Sequence, residues 1–189
     1  MRSDTRPAVG PISTAVVQIR PIRPTAILRL KSWLLLLPAD RARPVVVGGE
    51  TLPERIGTTT TRPHHALRVG PGEWLVVSNE RDASSLREQM QSDLAAQSIA
   101  LVDLTDGMST LEVQGPATRE LLAKGCGLDL HPQSFPAGHC ARTRFAQIPV
   151  IVECLDDSES ARFGLYAARS YHNYLSAWLD DAAVEFAAH

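Results

Sequence analysis

The spacing of apolar residues along the chain predicts two long helices. Near the carboxyl end, apolar and aromatic residues recur at helical steps, at Tyr171, Tyr174, Leu175, Trp178, Leu179 and Ala182. This spacing is typical of one face of an amphipathic helix. A second helix is predicted by the same steps of three and four at Ala83, Leu86, Met90 and Leu94. Either Asp82 or Ser85 would cap its first turn, and Ser85 with Glu88 has capping-box spacing.

Short apolar runs bounded by glycine, proline and polar residues predict strands. These runs are Thr14–Ile19, Thr25–Leu30, Ala66–Val69, Trp74–Val77, Leu101–Leu104, Thr110–Gln114, Cys140–Phe145, Pro149–Leu155 and Arg162–Ala167. Gly115-Pro116 is predicted to open a short helix, with proline in its first turn, and Lys124-Gly125 to close it. Because clusters of strands alternate with single helices, we predict an α+β fold of mainly antiparallel sheets with a few packed helices.

The distribution of charge suggests how the chain is divided. Of the 189 residues, the first 31 contain one acidic residue, Asp4, and six basic ones, which are Arg2, Arg6, Arg20, Arg23, Arg29 and Lys31. The whole chain has a net charge of −2, so a basic start precedes an acidic body. We predict an extended arm over residues 1–24, which docks on an acidic surface of this chain or of a partner, or else is a solvated tail. Residues 25–189 would form one α+β domain, or two small subdomains meeting near residue 100.

Composition argues against several classes of protein. A slightly negative net charge disfavours non-specific nucleic-acid binding. The longest apolar run, Trp33–Leu37, is too short to span a membrane, and the start of the chain shows no apolar signal segment. Cys126, Cys140 and Cys154 form no C-x-x-C pair and predict free thiols in a reducing compartment, the cytoplasm.

Candidate chemistry is sparse. His131, His139, Cys126 and Cys140 are suitable metal-ligand types, but none of them forms the tight pair that zinc sites usually show. The turn Gly70-Pro71-Gly72 precedes a predicted strand rather than a helix, which is unlike a phosphate-binding loop. No G-x-S-x-G nucleophile motif is present. We therefore predict no catalytic, cofactor-binding or metal-binding residue in this chain.

Several segments resemble known proteins. Leu101–Gly107 and Leu111–Ala117 resemble part of the glycine-cleavage aminomethyltransferase, in which an aspartate-containing strand is followed by a strand that ends in Gly-Pro and a helix. Other segments resemble the gamma subunit of heterotetrameric sarcosine oxidase more closely: Gly70–Leu75, Leu122–Cys126, Asp129–Pro132, Phe135–Gly138, Arg169–Tyr171 and Trp178-Leu179. The resemblance runs from about residue 66 to residue 183, and the first 65 residues match loosely at best.

The resemblance implies a function. The chain would be a non-catalytic structural subunit of an enzyme that oxidatively demethylates sarcosine or a related N-methyl amino acid. FAD, FMN, NAD and tetrahydrofolate would belong to the other chains. Those chains would be a large dinucleotide- and folate-binding subunit, a flavin-binding subunit and a small zinc-binding subunit. The alternative is a free-standing folate-binding or aminomethyltransferase-like protein.

The two hypotheses differ over one acidic residue. The aminomethyltransferase has a carboxylate in the strand region after its glycine-rich turn, and the comparable stretch here, Gln147–Val152, has none. Glu153 lies just beyond and alternates with apolar neighbours, which predicts that it faces outward. The resemblance therefore favours an assembly role over folate chemistry.

A proline-containing loop is the candidate surface for such a role. Asp129–Gly138 contains Pro132 and Pro136, and proline lowers the entropy that a loop loses on binding. We predict that Asp129, His131 and Phe135 contact a partner subunit. The alternative is a plain connection between a helix and a strand.

Overall fold

The structure is a computed structural model that describes residues 12–13, 16–32, 44–47, 49–61, 65–95 and 97–186. The strands of these residues are β1 (Ile12–Ser13), β2 (Gln18–Ile22), β3 (Ala26–Ser32), β4 (Val46–Val47), β5 (Glu50–Thr51), β6 (Thr59–Thr60), β7 (His65–Gly70), β8 (Glu73–Ser78), β9 (Ile99–Asp103), β10 (Met108–Gln114), β11 (Cys140–Phe145), β12 (Ile148–Asp156) and β13 (Arg162–Ala168). The α-helices are α1 (Ala83–Ala95), α2 (Thr118–Ala123) and α3 (His172–Ala183). Short 3₁₀ turns at Arg169–Tyr171 and Val184–Phe186 flank α3.

Two antiparallel sheets form the body of the fold. The larger has the order β1-β2-β10-β13-β12-β11, and the smaller has the order β6-β7-β8-β3-β9. A separate two-stranded ribbon joins β4 to β5. Hairpins β7–β8 and β11–β12 connect neighbouring strands, as the Gly70-Pro71-Gly72 turn had predicted for the first of them. The predicted fold class, α+β with mainly antiparallel sheets, is confirmed.

Helices cover the outer faces of both sheets. On α1 the buried residues Leu86, Met90 and Leu94 pack against the smaller sheet, and they are three of the four positions that predicted this helix. On α3 the buried residues are Leu175, Leu179 and Ala183, which pack against the larger sheet. The inner faces of the sheets meet around Ile27, Leu67, Leu75, Ile151 and Tyr166.

The ends of the helices show which capping predictions were right. Asp82 caps α1, because its Oδ1 accepts a hydrogen bond of 2.9 Å from the backbone N–H of Ser85. Hydrogen bonds from Ser84 and Ser85 lower the pKa of Asp82 to about 2. The helix α2 begins at Thr118, with Ala117 as its N-cap. Pro116 therefore precedes the helix instead of lying in its first turn, and the prediction was wrong by about two residues.

The end of the predicted arm belongs to the larger sheet. Residues Gln18–Ile22 pair with β10, in a register that places Arg20 opposite Glu112. Just before this strand, Val16 lies against Gly115, and the N–H of Ala117 donates to the Val16 carbonyl at 3.2 Å. Residues 1–11 and the apolar run Trp33–Leu37 lie outside the described residues. Whether the chain divides at residue 24 or near residue 100 stays a prediction.

Candidate functional site: a buried polar row between the sheets

One residue of the predicted docking loop, Phe135, faces the interior of the chain. Phe135 is 7% exposed and stacks on Phe163, with ring centroids 6.3 Å apart, inside the core of the larger sheet. Phe135 is therefore a core residue of this chain, and its contact with a partner stays a prediction. The loop turns toward the core at Phe135 because this side chain fills space beside the larger sheet. Arg119 holds the loop by donating to the Leu130 carbonyl and lies 5.0 Å from the Phe163 ring centroid.

Asp129 and His131 do lie on the surface of this loop. Asp129 Oδ1 accepts a hydrogen bond of 3.0 Å from the backbone N–H of His131, and its Oδ2 accepts one of 2.5 Å from the Ser134 hydroxyl. The Ser134 bond and then the His131 bond lower the pKa of Asp129. These bonds order the loop locally. A contact between Asp129 or His131 and a partner stays a prediction.

Glu153 does not face outward. Its side chain is 1% exposed and points between the two sheets. The alternation that predicted an outward side chain failed because β12 is covered on both sides. Val152 and Cys154 face the core beneath α2 and α3, whereas Ile151 and Glu153 face the smaller sheet.

Both carboxylate oxygens of Glu153 are occupied. Oε1 lies 2.6 Å from His65 Nε2 on β7, and Oε2 accepts a hydrogen bond of 2.8 Å from the Tyr166 hydroxyl on β13. The first contact joins the smaller sheet to the larger one. The second crosses between neighbouring strands of the larger sheet. We call Glu153, Tyr166 and His65 the buried polar cluster.

The register of the larger sheet explains how the cluster is assembled. A single cross-strand row contains Arg20, Glu112, Gly164, Glu153 and Cys140 in neighbouring strands. The glycine between the two glutamates makes room for the Tyr166 ring, since a Cβ at Gly164 would lie 3.3 Å from the ring and its hydroxyl. Tyr166 can therefore fold back over the row and reach Glu153. At the other end, Arg20 pairs with Glu112.

The surroundings of Glu153 oppose the ionisation of two weaker acids, the Cys140 thiol and the Tyr166 hydroxyl. Burial, followed by the charge of Glu153, raises the pKa of the Cys140 thiol to about 12. Burial and then the Glu153 charge and hydrogen bond also raise the pKa of Tyr166 well above its ordinary value. The Cys140 thiol is therefore protonated at neutral pH and is a poor nucleophile.

The arrangement is better suited to holding the two sheets together than to catalysing a reaction. A general acid or base must reach a proton on a substrate, directly or through one water. Glu153 is 1% exposed and is enclosed by protein, which keeps its carboxylate away from a substrate. Among the described residues, no three His, Cys, Asp or Glu side chains are grouped to hold a metal ion. Buried polar groups that satisfy one another instead fix how packed layers sit together.

A second ionic group joins the sheets at another place. Glu73 on β8 is 8% exposed and accepts from Arg29 on β3 at 2.7 Å and from Arg142 on β11 at 2.5 Å. Burial alone would raise the pKa of Glu73, but the Arg142 hydrogen bond and the charges of Arg142, Arg29 and Lys31 outweigh it and lower that pKa. This group could not be recognised from the sequence because its members are far apart in the chain. The one available signal was the presence of charged residues inside apolar strands.

Concave surface is found away from both polar groups. A cavity of about 200 Å³ lies between α1 and β9, lined by Arg87, Gln91, Leu94, Ala95, Ile99 and Leu101. Its lining offers one cation and one amide, and no nucleophile or carboxylate. In the part of the chain that is described, no helix is both long and apolar enough to cross a bilayer.

The architecture resembles solved structures of two kinds. It matches a chain of the heterotetrameric sarcosine oxidase from Corynebacterium sp. U-96 with a TM-score of 0.76 and 24% identity, over 94% of this chain and 89% of that one. It matches the glycine cleavage system aminomethyltransferase T from Bartonella henselae with a TM-score of 0.59 and 16% identity, over 88% of this chain and 46% of that one. The fold is thus similar to part of the aminomethyltransferase fold.

Sequence comparison identifies the family. The profile of the sarcosine oxidase gamma subunit family matches residues 47–185. The chain is 31% identical over 122 residues to the sarcosine oxidase subunit gamma of Corynebacterium sp. strain U-96, covering 65% of this chain and 57% of that protein. It is 31% identical to the counterpart of strain P-1 over 74% of this chain and 68% of that protein. The chain belongs to the sarcosine oxidase gamma subunit family, as the resemblance had indicated.

Proposed function

We propose that the chain is a non-catalytic subunit of a multisubunit oxidase of the sarcosine oxidase type. This enzyme would oxidatively demethylate sarcosine or a related N-methyl amino acid. The observation that carries the non-catalytic role is the state of Glu153, whose two oxygens are held by His65 and Tyr166. It is the acidic residue next to Gln147–Val152, the stretch comparable to the carboxylate-bearing region of the aminomethyltransferase, and it is enclosed by protein.

The proposal places the redox chemistry on other chains. FAD, FMN, NAD and tetrahydrofolate would be held by a large dinucleotide- and folate-binding subunit and a flavin-binding subunit, with a small zinc-binding subunit completing the complex. The described residues of this chain support that division, because their buried acids are paired and the buried thiol of Cys140 is held protonated. The assembly would act in the cytoplasm in the breakdown of N-methyl amino acids.

Reconstitution tests the proposal. The chain is co-expressed with the three other subunits, and the mass and sarcosine turnover of the product are measured with and without it. We expect a defined complex only when the chain is present. Glu153→Gln, in the assembled complex, is expected to change turnover by less than about twofold, whereas loss of a true acid–base residue costs about a hundredfold or more. A large loss of turnover in an intact complex would make Glu153 an active-site contributor.

The alternative, a free-standing folate-binding protein, is distinguished by titration. The isolated chain is mixed with tetrahydrofolate and followed by calorimetry. We expect no saturable heat. Saturable binding that Glu153→Gln weakens would favour the alternative and overturn the proposed division of roles.

A further inference from the structure

One edge of the smaller sheet, at β9, is open among the described residues. The strand pairs with β3 on one side and is the last strand of its sheet. The N–H of Leu104 donates to the Ile27 carbonyl at 2.8 Å. Backbone groups alternate along an antiparallel pair, so those of Val102 turn toward β3 as well. The N–H and C=O groups of Leu101 and Asp103 therefore point away from the sheet.

This edge differs from the other edges of the two sheets in the described part of the chain. Native proteins protect an edge by keeping its strand short or by placing charged side chains on it. The edge strands β1 and β6 have two residues each, and β11 carries Arg142 and Arg144. In contrast, β9 has the five-residue sequence Ile-Ala-Leu-Val-Asp, with its only charge at the last position. An apolar edge of this length is suited to pairing with a further strand.

The cavity between α1 and β9 lies beside this edge. Its apolar lining comes from Leu94 and Ala95 on α1 and from Ile99 and Leu101 on β9. Because side chains alternate along a strand, every second residue of an added strand would face α1 and the cavity. The residues between them would face the opposite side of the sheet, beside Val102, which is 50% exposed. The edge therefore offers room for side chains on both faces.

The rim of the cavity carries a cation that the described residues leave without an ion pair. Arg87 is exposed on α1, lines the cavity and forms none of the salt bridges of the described residues. None of the residues three or four positions away from it on α1 is acidic. Gln91, one turn further along, adds an amide to the same rim. A carboxylate on an incoming segment would be complementary to this rim.

From these features we propose that β9 accepts an extended, acidic segment of a partner subunit as an added strand. The segment would hydrogen-bond to the outward backbone groups of Leu101 and Asp103. It would insert one apolar side chain into the cavity and present a carboxylate to Arg87. In this kind of recognition the main-chain bonds supply affinity, and the side-chain pockets supply selectivity. The proposal rests on the proposed function, because the partner is a subunit of the same complex.

A second copy of this chain fits the edge less well. Antiparallel pairing of two β9 strands would relate the copies by a two-fold axis perpendicular to the joined sheet. Both α1 helices would then lie on the same face of that sheet, so the two helices and their Arg87 cations would face each other. A partner segment that carries a carboxylate avoids this repulsion.

Hydrogen exchange of single amides tests the added strand directly. Exchange is followed by mass spectrometry on the full chain alone and on the reconstituted complex. The N–H groups of Leu101 and Asp103 should exchange quickly in the free chain and at least about tenfold more slowly in the complex. The N–H of Val102, which turns toward β3, is the internal control and should exchange slowly in both.

Two results of this experiment would overturn the docking site and leave the subunit role intact. One is slow exchange of Leu101 and Asp103 in the free chain at a concentration where it is monomeric, because the edge would then be filled within the chain. The other is fast exchange of both amides in a complex that assembles. A free chain that dimerises and protects these amides would assign the edge to a second copy and reject the partner segment. Failure of the wild-type chain to assemble at all would overturn both proposals.

A matched pair of substitutions separates the backbone of β9 from its side chains. Leu101→Pro removes an outward N–H that β3 does not use, whereas Leu101→Ala removes similar packing and keeps that N–H. The Kd for the remaining subunits is expected to be at least about tenfold weaker for Leu101→Pro than for Leu101→Ala. Equal Kd values for the two variants would reject the added strand. If Leu101→Pro does not fold, the exchange measurement on the wild-type chain decides.

The cation on the rim is tested by charge reversal. Arg87→Glu is expected to weaken association about tenfold at low salt, and its difference from wild type should shrink as the salt concentration rises. Arg55→Glu, an exposed position just before β6 at the opposite edge of the sheet, is the control and should change Kd by less than about twofold. An unchanged Kd for Arg87→Glu would reject an acidic segment at this edge.

Discussion

The Tyr166 hydroxyl donates a hydrogen bond of 2.8 Å to Glu153 Oε2 in the buried space between the two sheets. Hydrogen bonds to charged groups contribute more to stability than neutral ones. We expect Tyr166→Phe to lower the free energy of unfolding by about 2 kcal/mol, measured by urea denaturation. The matched control is Tyr174→Phe, whose hydroxyl donates to the Ala146 carbonyl near the surface. Equal effects of the two substitutions would show that Glu153 is not a charged acceptor.

Acid stability should report on Glu73. Its pKa in the folded chain lies below the ordinary value of 4.5, so its contribution to stability is present above pH 4.5 and disappears as the pH falls through the lowered value. Glu73→Gln should therefore lower the melting temperature at pH 7, and its difference from wild type should shrink below pH 4.5. Exposed Glu80→Gln is the control and should show little difference at either pH. A gap that widened in acid would contradict the ion pairs.

A substitution at Gly115 tests whether the segment before β2 packs against the rest of the fold. Its φ is +134°, and an added Cβ would lie 2.3 Å from the Val16 carbonyl oxygen. Gly115→Ala is expected to cost more than about 1 kcal/mol of unfolding free energy, because neither the backbone nor the neighbouring carbonyl can accept the methyl group. Gly127→Ala meets no atom within 4 Å and serves as the control. If Gly115→Ala left the unfolding free energy unchanged, Val16 would not lie against this turn.

Phe135 should behave as a core residue rather than a contact residue. Phe135→Ala is expected to lower the unfolding free energy of the isolated chain by about 3–5 kcal/mol, because it removes a ring stacked on Phe163. Exposed Ile56→Ala should have little effect. If the loop also binds a partner, His131→Ala should weaken association without changing the melting temperature. A stable Phe135→Ala chain that failed to assemble would restore the docking role for this ring.

Much of the fold was predictable because each helix buries one face. Leu86, Met90 and Leu94 on α1, and Leu175 and Leu179 on α3, recur at helical spacing because solvent lies on the opposite side. The strands that are bounded by turns could be predicted from the sequence equally well. Trp74 begins the strand predicted over Trp74–Val77, is 1% exposed and donates its indole N–H to the Pro53 carbonyl.

The buried polar cluster could not be predicted, for a reason that lies in the layers. The alternation of side chains along a strand shows which of them are buried only when one face of the sheet is exposed to solvent. Glu153 lies in a strand that is covered on both sides, so its alternation with apolar residues did not show which way its side chain points. Its partner His65 lies 88 residues away and in another sheet. Arg20 and Arg29 were correctly seen as an excess of basic charge, and the structure places each against an acid of this same chain, Glu112 and Glu73.

The pairing of β2 with β10 also orders events during synthesis. Roughly 90 residues separate the two strands in the chain, and at about 5–20 residues per second the ribosome needs several seconds or more to supply the second one. Meanwhile β3, β7, β8 and α1 have all emerged and can close most of the smaller sheet. The edge of β2 that pairs with β10 must wait unpaired until Val113 leaves the exit tunnel. The nascent chain is therefore expected to be most vulnerable to aggregation and chaperone capture after the smaller sheet forms and before the larger one closes.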